Sequence, residues 1–154
     1  MSVQILSPED VQAQRSSPDR AFRTGLWSHI RGAKLLVILS VPLIYALIVP
    51  FAFLDLAVSI YQSVCFPIYG IAKVRRGDYL IFDRGRLAYL NGIEKVGCVY
   101  CSYGNGLLAY VAEIAARTEA RFCPIQHAQP LQNPHSQYDR FAAYGDAAGF
   151  RKLR

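Results

Sequence analysis

Between Leu35 and Ala72 the sequence carries a single charged residue, Asp55. That poverty excludes an ordinary soluble fold for this stretch, because a soluble domain interrupts its apolar runs with polar positions every few residues. The chain also lacks the local templates of the common enzyme classes: it has no G-x-S-x-G, Walker A loop, dinucleotide fingerprint or H-E-x-x-H. Cysteine is scarce, with four in 154 residues, and its uneven placement excludes a disulfide-stapled scaffold. No secretory signal peptide is evident, since the residues before Lys34 are polar and the apolar run is far too long for an h-region. Internal repeats and lipidation motifs are missing as well.

What is present is an apolar segment with base on both sides. Arg15, Arg20, Arg23, Arg31 and Lys34 precede it, and Lys73, Arg75 and Arg76 follow it. A net charge of +6 raises the question of nucleic acid. Crowding of that charge beside an apolar segment fits anionic lipid headgroups better, at roughly 1 kcal/mol per cation near the surface. The expected partner is therefore the bilayer, not nucleic acid.

About 20 apolar residues span a bilayer, and residues 35–72 hold nearly twice that number. Lysine and arginine concentrate in cytoplasmic loops, so two basic flanks predict a helical hairpin in the inner (plasma) membrane with both termini cytoplasmic. Its turn is expected near Pro50 to Asp55, with Asp55 at the tip reaching water. Pro42, Pro50 and Pro67 can kink or break the helices. Residues 1–34 form an N-terminal arm. Ser7-Pro8-Glu9-Asp10 and Ser17-Pro18-Asp19 each open a short helix. Phe22, Leu26, Trp27 and Ile30 give the second helix an apolar stripe suited to the membrane interface.

After Lys73 the period changes. Tyr79-Leu80-Ile81-Phe82 and Leu87-Ala88-Tyr89-Leu90 flank the turn-like Asp83-Arg84-Gly85-Arg86, which predicts a β-hairpin. Asn91-Gly92 marks another turn. Leu107 to Ala120 reads as an amphipathic helix, with Leu107, Val111, Ile114 and Thr118 on one face and Asn105 offered as its N-cap. Residues 129–154, with a weak helical pattern from Tyr138 to Leu153, read as a loosely held tail. The expected fold is thus a membrane protein: an α-helical hairpin at 35–72 and a small cytoplasmic α+β module at 73–128.

One pattern has chemical content. Cys98-Val99-Tyr100-Cys101 can grip a metal from a tight knuckle, and Cys123 with His127 would complete a tetrahedral Cys3His site. Thiolates favour zinc, with iron–sulfur a weaker fit, and argue against magnesium or calcium. The predicted helix between the two pairs is an obstacle, being about 20 Å long. The alternatives are small core residues, a redox dithiol at Cys98 and Cys101, or ligand pairs completed between two copies of a homo-oligomer. His29 and His135 read as surface residues. These features favour a small accessory or assembly protein of a larger membrane complex over an enzyme, with other membrane subunits as partners. A membrane-tethered thiol redox or metal-handling enzyme is the second reading, and a membrane-shaping hairpin is the third.

Overall fold

The computed structural model describes residues 34–153 and nine positions before them: Ser7, Glu9, Asp10, Gln12, Ala13, Phe22, Arg23, Gly25 and Arg31. The predicted interfacial stripe, apart from Phe22, lies outside the described residues. Ser7 does act as a helix cap: its hydroxyl accepts the amide of Asp10 at 3.2 Å, and its own amide reaches the Asp10 carboxylate at 3.1 Å. Four longer elements follow: α1 (Leu35–Ala46), α2 (Ile48–Tyr69), α3 (Gly92–Phe122) and α4 (Ala147–Leu153). Among the described residues there is no strand, only a bridge between Ile125 and Ala142.

This overturns the α+β module. The turn at Asp83–Arg86 forms as a 3-10 segment over Arg84–Arg86, with the Arg86 amide on the Asp83 carbonyl at 2.9 Å. Its flanks do not pair as strands. Two neighbours claim them. Tyr79 packs its ring on Tyr110 of α3, and Asn91-Gly92 begins α3 instead of closing a hairpin. Asn91 is a capping residue: its side-chain oxygen accepts the Glu94 amide at 3.0 Å, and the Glu94 carboxylate accepts the Asn91 amide at 2.8 Å. Two orphan donors of the first turn are satisfied reciprocally. The helix so started runs unbroken through Cys98, Cys101 and Asn105, so there is no cysteine knuckle and Asn105 caps nothing. Its side chain bonds back to the Cys101 carbonyl at 2.9 Å.

The helical hairpin is overturned too. Pro50 to Asp55 lie inside α2, and Leu35–Tyr69 is effectively one helix, long and apolar enough to cross a membrane. Pro50 has no N–H to give the Ala46 carbonyl, so the ladder falters at Leu47, yet Leu47 keeps helical backbone angles and the path continues. No glycine occurs from Leu35 to Tyr69 to reverse the chain. The first one met is Gly70, at φ +67°, and there the helix ends. The Ile71 amide bonds the Phe66 carbonyl at 2.8 Å and the Gly70 amide bonds that of Pro67 at 3.3 Å, a Schellman closure that glycine permits without steric cost.

The chain divides into two compact units, Met1–Val49 with Ile81–Asn105, and Pro50–Leu80 with Gly106–Arg154. In the first, the Tyr100 ring of α3 packs at a tilt on that of Tyr45 of α1, 5.0 Å away, and its hydroxyl donates to the Ile44 carbonyl at 2.7 Å. No residue of α1 is buried. In the second, contacts advance together along α2 and α3, from Gln62–Tyr110 to Tyr69–Phe122, so the two helices run parallel. A parallel pair requires the chain to return between them. Residues 71–80 do this as a strap that turns through a 3-10 segment at Arg76–Asp78, meeting Arg117 at Ala72, Gln62 at Val74, Asp55 at Arg76 and Tyr110 at Tyr79. Gly106 admits the strap: a Cβ there would lie 2.6 Å from the Tyr79 carbonyl oxygen.

Candidate functional site

The second unit has two unlike faces. On the strap side its polar groups are paired. Asp55, whose side chain is only 12% exposed, takes both guanidinium nitrogens of Arg76, one at 2.7 Å. This is not the water-seeking hairpin tip expected for Asp55, and the partner lies twenty-one residues on, where no local pattern could signal it. Gln62 is buried and fully used: its amide nitrogen donates to the Tyr110 hydroxyl at 2.7 Å, and its oxygen accepts the Val74 amide at 2.6 Å. Arg117 joins Glu113 at 2.8 Å and reaches the Ala72 carbonyl at 2.7 Å. Burial, with the Glu113 carboxylate adding to it, holds the Tyr79 phenol above its ordinary range.

The other face is apolar. Phe53, Leu56, Ile60, Val64 and Ile68 recur along α2 at intervals of three and four, and all are exposed, Phe53 by 74% and Ile68 by 70%. That spacing is one helix stripe. On α3, Leu108, Ala112, Ala115 and Phe122 are exposed at comparable spacing. Between the stripes runs an open groove of about 550 Å³, lined chiefly by Val58, Tyr61, Val111, Ile114, Ala115 and Phe122. Its polar atoms are satisfied from within. Thr118 donates its hydroxyl to the Ile114 carbonyl at 2.8 Å, which leaves its oxygen to accept from Tyr61 at 3.1 Å.

At the end of α3 a second cluster holds the following segment. The Gln137 amide donates to Nδ1 of His135 at 3.3 Å, so the Nε2 proton points at Glu119, 3.0 Å away. The Tyr138 hydroxyl accepts the His127 amide at 2.6 Å and shares a hydrogen bond with that residue's Nδ1 at 3.2 Å. His135 is thus a paired, mostly covered residue, 21% exposed, and not the free surface histidine its sequence context suggests. These contacts and the Ile125–Ala142 bridge fasten residues 123–142. Both ring nitrogens of His135 are engaged, which makes this a structural clasp and gives no free base beside a nucleophile.

The four expected metal ligands are not gathered. Cys98 and Cys101 lie within α3 in the first unit, whereas Cys123 and His127 follow its end in the second. Among the described residues, no group of three or more His, Cys, Asp or Glu is arranged to hold a metal ion. The cysteines carry no disulfide, and Cys101 and Cys123 are exposed.

No protein-family model matches the chain, and neither a curated protein nor a solved structure is similar to it.

Proposed function

We propose that this chain is a small membrane-bound accessory or assembly protein, and that it acts by contact with other membrane subunits and not by catalysis. The observation that carries the reading is the helix Leu35–Tyr69. It is long and apolar enough to cross a bilayer, and none of its most apolar window is buried within the protein. A core helix of a soluble protein would be covered; this one leaves Leu35, Leu36, Leu39 and Leu43 open. Lipid is the solvent that such a surface requires. The basic residues beside the helix support a place in a membrane with anionic headgroups, such as the inner (plasma) membrane.

The redox reading gains nothing from the geometry. Cys98 and Cys101 sit inside α3 and not at a helix N-terminus, where the dipole assists a thiolate. A membrane-shaping hairpin falls with the hairpin itself. A zinc site draws no support from the geometry, since no group of three or more His, Cys, Asp or Glu gathers among the described residues.

The test has two parts. The tagged full chain should stay with membranes through alkaline carbonate, and Leu39→Asp with Leu43→Asp should release it. Mild detergent extraction after crosslinking should then recover defined membrane subunits in constant ratio. Release of the wild type by carbonate would refute the membrane reading. Recovery of the chain alone would refute the accessory role.

A further inference from the structure

We infer that the second unit lies flat on the membrane, with its apolar face pressed into the acyl region and its strap facing water. The inference rests on the membrane-bound reading above and adds an orientation and a lipid-contact surface to it.

Three observations on this unit carry it. The exposed stripe on α2, from Phe53 to Ile68, runs along the length of the helix, as a surface-lying helix requires. The α3 residues Leu108, Ala112, Ala115 and Phe122 extend that surface sideways, and the groove between the helices is apolar and open. The opposite side is lined by Asp55–Arg76, Glu113–Arg117 and the exposed Lys73 and Arg75. If α2 crossed the bilayer here, those charges would enter hydrocarbon along with the stripe, which is costly for every charged group. Laid flat, each face meets the medium it suits. Bilayer lipid is the occupant because the stripe belongs to the helix that, among the described residues, is long and apolar enough for a membrane. The groove is open at its surface, so a lipid acyl chain can lie along it, its wall offering mostly methyl and aromatic carbon.

Tryptophan fluorescence can decide this, because the chain has one tryptophan, Trp27. In a Trp27→Phe background, single tryptophans are placed at Phe53, Ile68 and Leu108, with Leu39→Trp on α1 as the anchor reference. Ile60→Trp and Val64→Trp stand in should a first variant misfold by circular dichroism. The full chain is reconstituted in vesicles of phosphatidylethanolamine and phosphatidylglycerol bearing bromine near the head or near the tail of the acyl chain. The expected result is strong quenching at Phe53→Trp, Ile68→Trp and Leu108→Trp, at one shared shallow depth. Phe53 and Ile68 are about 22 Å apart along the helix axis. Quenching at widely different depths would mean that α2 crosses, and would overturn the flat orientation. Quenching at Leu39→Trp alone would leave the anchor standing and overturn the lipid-facing surface, in favour of a protein partner there. No quenching at any position would remove the membrane reading and this inference with it.

Discussion

Replacing Gln62 by methionine tests how firmly this residue holds the strap. Gln62 is 6% exposed and gives one bond to the Tyr110 hydroxyl and one to the Val74 amide. Methionine keeps the volume and removes both partners. The Val74 amide and the Tyr110 hydroxyl are then left unpaired in a buried place, each at about 1–3 kcal/mol. The added apolarity of methionine offsets part of this, so the expected loss is about 2–4 kcal/mol. For a chain of this size that lowers Tm by roughly 2–4 °C per kcal/mol. Tyr110→Phe leaves only the Gln62 amide unpaired, at about 1–2 kcal/mol. The double variant strands just the Val74 amide, so it should cost less than the sum of the two, with a coupling on the order of 1 kcal/mol. Thermal unfolding of the full chain in a mild detergent, followed by circular dichroism, measures all four species. Additive effects, or a Gln62→Met loss below about 0.5 kcal/mol, would refute the idea that this glutamine organises the strap.

Other consequences follow from the same contacts. Arg76→Met should destabilise by about 1–3 kcal/mol, because it leaves the covered Asp55 carboxylate without its cation, an effect discounted here for the half-exposed arginine; Asp55→Asn in the same chain should recover much of the loss in the same melts. Gly106→Ala pushes a methyl against the strap backbone and should cost about 1–3 kcal/mol, whereas Gly97→Ala, whose Cβ would meet only the Tyr45 hydroxyl at 4.0 Å, should be nearly neutral or stabilising. Asn91→Ala opens the first turn of α3 and should lose about 0.5–2 kcal/mol, with faster amide exchange at Ile93 to Lys95. Serine at Cys98, Cys101 or Cys123, and alanine at His127, should change stability unequally and without metal release in elemental analysis. A matched collapse at all four positions, with loss of zinc, would instead establish one shared site.

The long apolar helix at residues 35–69 was legible from composition, because length and apolarity of this degree need no tertiary information. The cap at Ser7 and the turn at Asp83–Arg86 were legible for a similar reason: both depend on residues within one turn of each other. Asn91-Gly92-Ile93-Glu94 was legible in principle as a capping box, but the Asn-Gly pair reads equally well as a turn. Only packing of the long helix that follows decides between them. Tyr79 to Leu90 has strand-like composition, yet a strand needs a partner ladder, and the strap finds helix side chains instead. The hairpin was inferred from symmetry of charge, which says nothing about whether the backbone can reverse. With no glycine between Leu35 and Tyr69, it continues as one helix to Gly70. The Asp55–Arg76 and Gln62–Val74 contacts join residues far apart in sequence, so they exist only because α2 and α3 run parallel with the strap between them. That arrangement also sorts an ordinary-looking set of valines, leucines and isoleucines into one open apolar face. Sequence specifies which side chains avoid water; tertiary structure decides which of them are left facing outward, and so what the protein can touch.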